Sequence, residues 1–469
     1  MTAENPDQQG ESFRDAVSTI NKEGKRNWIY PLKPSGSFYN KRNIASIIYL
    51  VMFFTLPFMK FNDEPLLLLN IIERKFIILG FVFFPQDLFL FALAMLSFMV
   101  FVVLFTVVFG RLFCGWACPQ TIFMEMVFRK IEYWIEGDAS HQRALNKGPW
   151  NKEKLLKKTA KYSIFFANSF LIANFFLAYL IGMDKLKLII AAPLSQHLGG
   201  FTAIFIFTGV FFFVYTYMRE QVCLVVCPYG RLQGVLLDKH SIVVAYDYKR
   251  GEPRHKYMKQ EGVETGDCID CHQCVKVCPT GIDIRNGTQL ECINCAACID
   301  ACDHIMESIH KPKGLIRYAS EAGIALGEKL RLTPRIIGYS LVLVLLVMGL
   351  GFGLASRSAV EATILRAPGT LFQELGTDSV TNLYTYTLVN KTHEPLELIP
   401  ELRNIGGSVR LIGGGKAIYI DPEGIQKGTF FLALARADLK KRKSDIQLEF
   451  CGHGKCYESA KTVFLGPVR

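Results

Sequence analysis

Fourteen cysteines stand in this 469-residue chain, and eight of them fall into two closely spaced runs. The first is Cys268-Ile-Asp-Cys271-His-Gln-Cys274-Val-Lys-Val-Cys278-Pro279, and the second is Cys292-Ile-Asn-Cys295-Ala-Ala-Cys298-Ile-Asp-Ala-Cys302. Each reads C-x2-C-x2-C-x3-C, the spacing that ligates a pair of [4Fe–4S] clusters. Three near thiolates wrap one face of a cubane cluster, while the fourth is carried off to the other. Cys268, Cys271, Cys274 and Cys302 are thereby assigned to one cluster, and Cys292, Cys295, Cys298 and Cys278 to the second. Zinc knots are the competing reading, but zinc sites usually set two pairs across a wide gap. Cys268-Ile-Asp-Cys271-His272 also matches the C-x-x-C-H haem-attachment pattern. Haem there would strip two ligands from a cluster, so His272 is expected to be an exposed loop residue. Asp303 stands where the first run has Pro279, a change that bears on hydrogen bonding near the cluster and hence its potential.

Four more cysteines form two similar units, Cys114-Gly-Trp-Ala-Cys118-Pro119 and Cys223-Leu-Val-Val-Cys227-Pro228. A spacing of four on a helix puts both sulfurs on one face. Each proline is expected to end or kink its helix where the chain leaves the membrane. Four soft thiolates at one depth suit Cu(I); buried free cysteines and a third cluster held by all four are the alternatives. The last pair lies in Cys451-Gly-His453-Gly-Lys-Cys456 and reads as a disulfide, free cysteines or a peripheral metal site. Glu125, Glu132 and Glu136 read as a solvated helix face.

These motifs need a membrane to position them. Half the chain is hydrophobic, with 36 Phe, and mean hydropathy is +0.23. About 20 residues of helix cross a bilayer core of about 30 Å, and five apolar stretches approach that length: Ile44–Met59, Leu88–Gly110, Tyr162–Gly182, Phe201–Met218 and Ile336–Ala355. Asn168 and Asn174 in the third are expected to face other helices. The net charge of +11 gathers beside these runs, as topology and anionic headgroups require, and the basic stretches match no nucleic-acid recognition module. Lysines and arginines crowd 111–161, so the N-terminus, that loop and 219–335 are expected in the cytoplasm. Residues 61–87 suggest a β-hairpin or re-entrant segment. From residue 356 onward, short alternating runs punctuated by Gly, Asn and Pro suggest an all-β sandwich.

The resulting organisation is a polar cytoplasmic tail (1–43), a membrane domain with four helices and both Cys-Pro units (44–240), a cytoplasmic two-cluster ferredoxin domain (241–335), a fifth span (336–355) and a periplasmic β-sandwich (356–469). The fold class is thus an α-helical transmembrane bundle joined to a bacterial-type ferredoxin domain and a C-terminal all-β domain.

GRLFCGWACPQT (110–121), FFPQD (83–87), ECINCAACIDACD (291–303), KPKGLIRYAS (311–320) and the Asn390-Lys391-Thr392 step resemble the CcoG/FixG/RdxA-type membrane ferredoxins, accessory proteins in assembly of cbb-type cytochrome oxidase. The resemblance runs from about residue 28 to the C-terminus. It implies five spans in the bacterial inner membrane, cytoplasmic clusters and an immunoglobulin-like C-terminal domain. It also implies reduction of Cu(II) to Cu(I) for the oxidase copper centre, with Cys114, Cys118, Cys223 and Cys227 as copper ligands. The expected cofactors are two [4Fe–4S] clusters, with copper as a transient substrate. The expected partners are the lipid bilayer, oxidase assembly factors and a cytoplasmic electron donor; a homodimer is compatible, and nucleic acid is not expected. A quinol-linked respiratory carrier feeding a periplasmic reductase, and a copper chaperone with structural clusters, are the rival readings.

Overall fold

The computed structural model describes residues 25–61, 64–72, 75–78, 81–83, 87–193, 197–255, 265–327, 333–369, 372–375, 378–392, 394–439, 441–452 and 454–467. Most of the polar tail, most of the FFPQD motif and His453 lie outside the described residues. The chain divides into two compact units, one holding the residues up to 348 except a short stretch near 80, the other holding the β-strands from residue 349 onward.

The first unit opens with α1 (Ser37–Thr55). Among the described residues, four later helices are long and apolar enough to cross a membrane. They are α2 (Leu88–Phe109), α3 (Lys152–Ile181), α4 (Leu198–Phe213, extended by a π-helical turn to Met218) and, further on, a helix at Pro334–Ala355. The first expected span, Ile44–Met59, behaves differently. Its helix begins earlier, at Ser37, takes in Lys41 and Arg42, and ends in a 3-10 turn containing Pro57. The first turn of α1 is held by protein: the Asp300 carboxylate accepts the Phe38 and Tyr39 backbone N–H groups at 3.0 and 2.8 Å. In α2 and Pro334–Ala355 only 6% of the apolar window is buried, so nearly all of that surface needs lipid around it. Within α3, Asn174 is buried, yet the Asn168 and Asn174 amides donate to Ile164 and Phe170 of their own helix rather than to a neighbour. A hairpin of Leu67–Asn70 with Lys75–Ile78 occupies the expected position.

Glu125, Glu132 and Glu136 are not a solvated face. Glu132 and Glu136 are each 2% exposed. Glu132 accepts from both Arg219 Nη atoms at 2.8 Å, while Glu136 pairs with Lys158 at 2.7 Å and Lys161 at 3.0 Å. Glu125 pairs with Arg129 at 2.9 Å, and Glu220 with Arg26 at 3.0 Å. Sequence spacing misses this for Glu132 and Glu136 because their partners come from distant segments. Arg219 itself sits at φ 53° and ψ −123°, a conformation disfavoured for any residue with a Cβ. Its bidentate grip on Glu132 holds it there.

The second unit packs two antiparallel sheets. One runs Gly407–Leu411, Ile425–Ala435, Ser379–Asn390, Val360–Arg366; the other runs Ile418–Ile420, Leu396–Leu402, Lys443–Gly452, Lys455–Leu465. Alternation along Ser379–Asn390 and Ile425–Ala435 turns Tyr384, Leu388, Phe430 and Leu432 into a shared core with Phe450 and Phe464. The Asn390-Lys391-Thr392 step has a structural job. Fully buried Asn390 donates to the Glu394 and Asp421 carbonyls and accepts from Thr392.

Burial alone would raise the Glu132 pKa, but the charges of Arg219, Lys161 and Arg129 overcome it and hold the group near pH 2 (about 2). A depressed carboxylate stabilises the fold above its unfolded pKa near 4.5, and that contribution is lost as pH falls from there through about 2. Glu132→Gln, which strands a buried guanidinium, should cost roughly 3–5 kcal/mol and flatten the acid limb of thermal unfolding followed in detergent between pH 7 and 3.

Candidate iron-sulfur and thiolate site

Both cluster runs fold into the same loop. Asp270 and His272 in the first, and Asn294 and Ala296 in the second, have φ of 52°, 55°, 53° and 63°. Left-handed residues alternating with ordinary ones turn successive backbone N–H groups toward one concavity, an arrangement Fe–S sites use. The first loop runs into the turn Gln273–Lys276, which carries Cys274; the second runs into α5 (Ala297–Ser308), which carries Cys298 and Cys302. Strand Val243–Tyr246, paired with Ile316–Ala319, backs them. The Asn294 side chain accepts the Val244 N–H at 3.2 Å.

Two cavities, of about 350 and 360 Å³, lie against these loops. Cys292, Cys295, Cys298 and Cys278 line the first, and Cys268, Cys271, Cys274 and Cys302 the second, with Cys274 also on the wall of the first. Cys278 therefore lies with the leading cysteines of the second run, and Cys302 with those of the first. The remaining lining is mainly apolar, including Ile282, Ile284 and Ile293 around one and Ile305, Leu315 and Ile316 around the other. Four soft donors in a dry wall fit a [4Fe–4S] cluster at each cavity. Burial pushes the Cys292 and Cys302 thiols up to about 12, and neighbouring cysteines push the same way. A cationic iron centre reverses that balance by replacing protons. His272 is half exposed in its loop, and the Asp303 carboxylate accepts the Gly314 N–H at 2.8 Å, so it closes a turn where Pro279 stiffens the first run.

The Cys-Pro units are repeated in conformation, but not as continuous helices. In one, α2 ends at Gly110 (φ 56°, ψ −128°), a short helix Leu112–Trp116 carries Cys114, and extended Cys118 precedes the helix Pro119–Ile122. In the other, the fourth span ends at Arg219 (φ 53°, ψ −123°), the turn Val222–Val226 carries Cys223, and extended Cys227 precedes Pro228–Leu236. Each proline starts a helix rather than ending one, because its missing N–H is harmless at the first helical position and it drives the preceding residue extended. The expected shared helix face for each pair is thus replaced by a helix break between the two sulfurs. Burial raises the Cys114 and Cys223 pKa values to about 11 and 12, and each of these two residues feels the thiolates of Cys118 and Cys227. The four therefore form one neighbourhood, although no three of their sulfurs lie within 4.8 Å of one another. The Gln233 amide donates to Cys114 Sγ at 3.1 Å.

This neighbourhood adjoins the cavity lined by Cys292, Cys295, Cys298 and Cys278. Cys114 packs in one apolar group with Val277, Ile293, Cys295, Ala297 and Cys298. Gly115 permits it: a Cβ there would lie 2.4 Å from the Ile293 carbonyl oxygen. Arg42 Nε donates to the Gly115 carbonyl at 2.7 Å, and Trp116 Nε1 donates to Tyr318, whose hydroxyl donates to the Asn294 carbonyl at 2.8 Å. Arg111 reaches the Leu290 and Gly230 carbonyls. Neither arginine was singled out by spacing; Arg111 lies inside GRLFCGWACP, while Arg42 carried no local signal. In the β unit, Cys451 and Cys456 form a disulfide directly across a hairpin, which leaves the peripheral-metal alternative without free thiols.

Fold and site together define a membrane-embedded iron-sulfur electron-transfer protein with an appended immunoglobulin-like domain. Residues 218–321 match the family model of a 4Fe-4S dicluster domain, residues 91–137 that of a 4Fe-4S binding domain, and residues 350–467 that of the IG-like fold at the C-terminal of FixG. The chain belongs to the FixG family: it is 33% identical over 427 residues to the nitrogen fixation protein FixG of Rhizobium meliloti, covering 81% of this chain and 79% of that one. Protein RdxA of Cereibacter sphaeroides is 34% identical over 381 residues, covering 78% and 80%. A crystal structure of a FixG-related protein from Vibrio parahaemolyticus aligns with 23% of this chain and 97% of its own, at 19% identity and a TM-score of 0.21.

Because each cavity draws its fourth cysteine from the other run, Cys278→Ala should remove the same EPR signal as Cys292→Ala, and Cys302→Ala the same signal as Cys268→Ala. Signals grouped by run instead would refute that pairing. Gly115→Ala should force the turn off Ile293 and lower iron bound at the Cys292 site, read as iron per chain, while leaving the β unit folded by circular dichroism.

Proposed function

We propose that this protein is a cupric reductase supporting assembly of the copper centre of a cbb-type cytochrome oxidase. The observation that carries the reading is the packing of Cys114 against the apolar group of Val277, Ile293, Cys295 and Ala297, which sets a thiol quartet beside a cluster cavity. The clusters, when bound, supply electrons one at a time. The chain's own residues do the rest. Cys114, Cys118, Cys223 and Cys227 receive the copper substrate, whose change from Cu(II) to Cu(I) takes one electron and no proton, and whose preference then moves toward sulfur. Buried walls around the quartet exclude water from the reduced ion. Relatives named for nitrogen fixation and as Rdx proteins support an accessory redox role. Assembly factors and a cytoplasmic electron donor are the partners this role requires.

Twelve free cysteines in the first unit against one disulfide in the second support opposite compartments, with clusters in the reducing cytoplasm and the β unit in the periplasm. α1 completes a fifth crossing in this topology. A second reading rests on two observations. The quartet sulfurs are spread more widely than a closed single-ion site, and the 4Fe-4S binding model at 91–137 contains only Cys114 and Cys118 among the cysteines. In that reading the quartet holds iron and sulfide.

One experiment separates them. Anaerobic, dithionite-reduced protein in detergent receives Cu(II), and cluster oxidation is followed by EPR while Cu(I) is trapped by a chelator. Replacing all four quartet cysteines by Ala should slow Cu(I) formation at least tenfold with iron per chain unchanged. A fall in iron content favours the second reading, and an unchanged rate rejects the quartet as the site of copper reduction.

A further inference from the structure

The two cluster cavities sit in different electrostatic surroundings. Beside the Cys292 site lie two buried guanidinium groups, and the nearby buried Asp300 carboxylate is engaged by the Phe38 and Tyr39 backbone N–H groups. Arg42 is 3% exposed and Arg111 is 5% exposed. Arg42 Nη2 and Arg111 Nε have no hydrogen-bond partner. Arg42 acts on Cys295, and Arg111 on Cys292 and Cys114. Glu291 faces Arg111, and Glu125, which also reaches Cys295, is already paired with Arg129.

The Cys268 site is different. Arg285 lines it but is occupied by both Asp270 and Asp283. Arg254 is paired with Glu252 at 2.6 Å, and Asp303 faces Cys302. The cations at this site are each tied to carboxylates: Arg285 to Asp270 and Asp283, Arg254 to Glu252, and Arg250 and Lys311 to Asp267 beside Cys268. The site's loop residue His272 lies open to solvent, with the side chain 52% exposed.

Reduction adds one negative charge to a cluster. A buried guanidinium nearby stabilises that charge strongly because little water screens it, whereas a cation already neutralised by a carboxylate does so less. We propose that Arg42 and Arg111 raise the potential of the Cys292/Cys295/Cys298/Cys278 site above that of the Cys268/Cys271/Cys274/Cys302 site, so electrons enter at the Cys268 site, beside solvent-exposed His272, and leave toward the Cys-Pro quartet. The internal step moves one electron from the Cys268 site to the Cys292 site; no bond forms and no proton moves. Arg42 and Arg111 are positioning residues in this scheme: they also hold the Gly115, Gly230 and Leu290 carbonyls, and so fix the quartet loops against the cavity whose potential they set. The ordering rests on the cluster assignments and is independent of copper.

The test is an anaerobic redox titration of the full-length, cluster-loaded chain in detergent, without copper, followed by EPR. Cys271→Ser first identifies which signal belongs to the Cys268 site. The wild type should reduce the other signal at higher potential. Arg42→Gln should lower that potential enough to change its reduced-to-oxidised ratio at least tenfold, about 59 mV for one electron, with the Cys268-site signal unmoved. Arg42→Lys, which keeps the charge, should retain most of the wild-type value. The proposal is overturned if the Cys271→Ser variant perturbs the higher-potential signal, or if Arg42→Gln moves both signals equally or neither. If Arg42→Gln loses iron, the wild-type order from Cys271→Ser still decides the direction of flow, and Arg111→Gln decides the charge effect.

Discussion

A backbone contact without side-chain clearance governs this molecule. The turn between Cys114 and Cys118 presses Gly115 against the Ile293–Asn294 segment so closely that a single Cβ would collide with a carbonyl oxygen. That contact sets the turn carrying Cys114 directly against a cluster loop. Everything around that contact works to keep it closed. Arg42 reaches up from α1 to the Gly115 carbonyl, Trp116 and Tyr318 relay to the Asn294 carbonyl, and Asp300 on α5 caps the start of α1. Removing any one leaves a buried polar group without its partner, which costs more than the bond itself contributes.

The same boundary carries the buried charges. Helices leaving the bilayer expose carbonyls and bring lysines and arginines with them. Here Arg219, Lys158 and Lys161 fold back onto Glu132 and Glu136. A buried ion pair adds little net stability compared with an apolar pair, but breaking it is expensive, so it fixes geometry more than it adds strength. Arg219 makes the point because its backbone occupies a region suited to glycine, the residue found at the equivalent Gly110. Two copies of one turn are thus built with different chemistry, one by omitting a side chain and the other by anchoring it.

Much was legible in the residue order. Cluster motifs depend on covalent spacing within about a dozen residues, so both loops, and the idea that each fourth cysteine serves the other site, follow from local sequence. Long apolar runs and short alternating ones likewise reveal their helices and strands, because hydrophobic periodicity is a local signal. Local rules failed where a distant segment intervened. Glu132 and Glu136 looked solvated because their partners lie tens of residues away. The Cys-x-x-x-Cys pairs looked like helix faces, but proline at the first position of the next helix broke the helix between the two cysteines.

The sequence by itself determined the iron-sulfur chemistry, the membrane character, the β-rich tail and the family, since each is written in spacing, composition or periodicity over short windows. Only the tertiary structure decided that Cys114 packs against the Ile293 and Cys295 wall. It alone decided that Arg42 and Arg111 lie buried beside one cluster cavity while Asp270 and Asp283 surround the cation of the other. The reason is physical: a charge acts on whatever is near it in space, and burial, which sets how strongly it acts, exists only once the chain has folded.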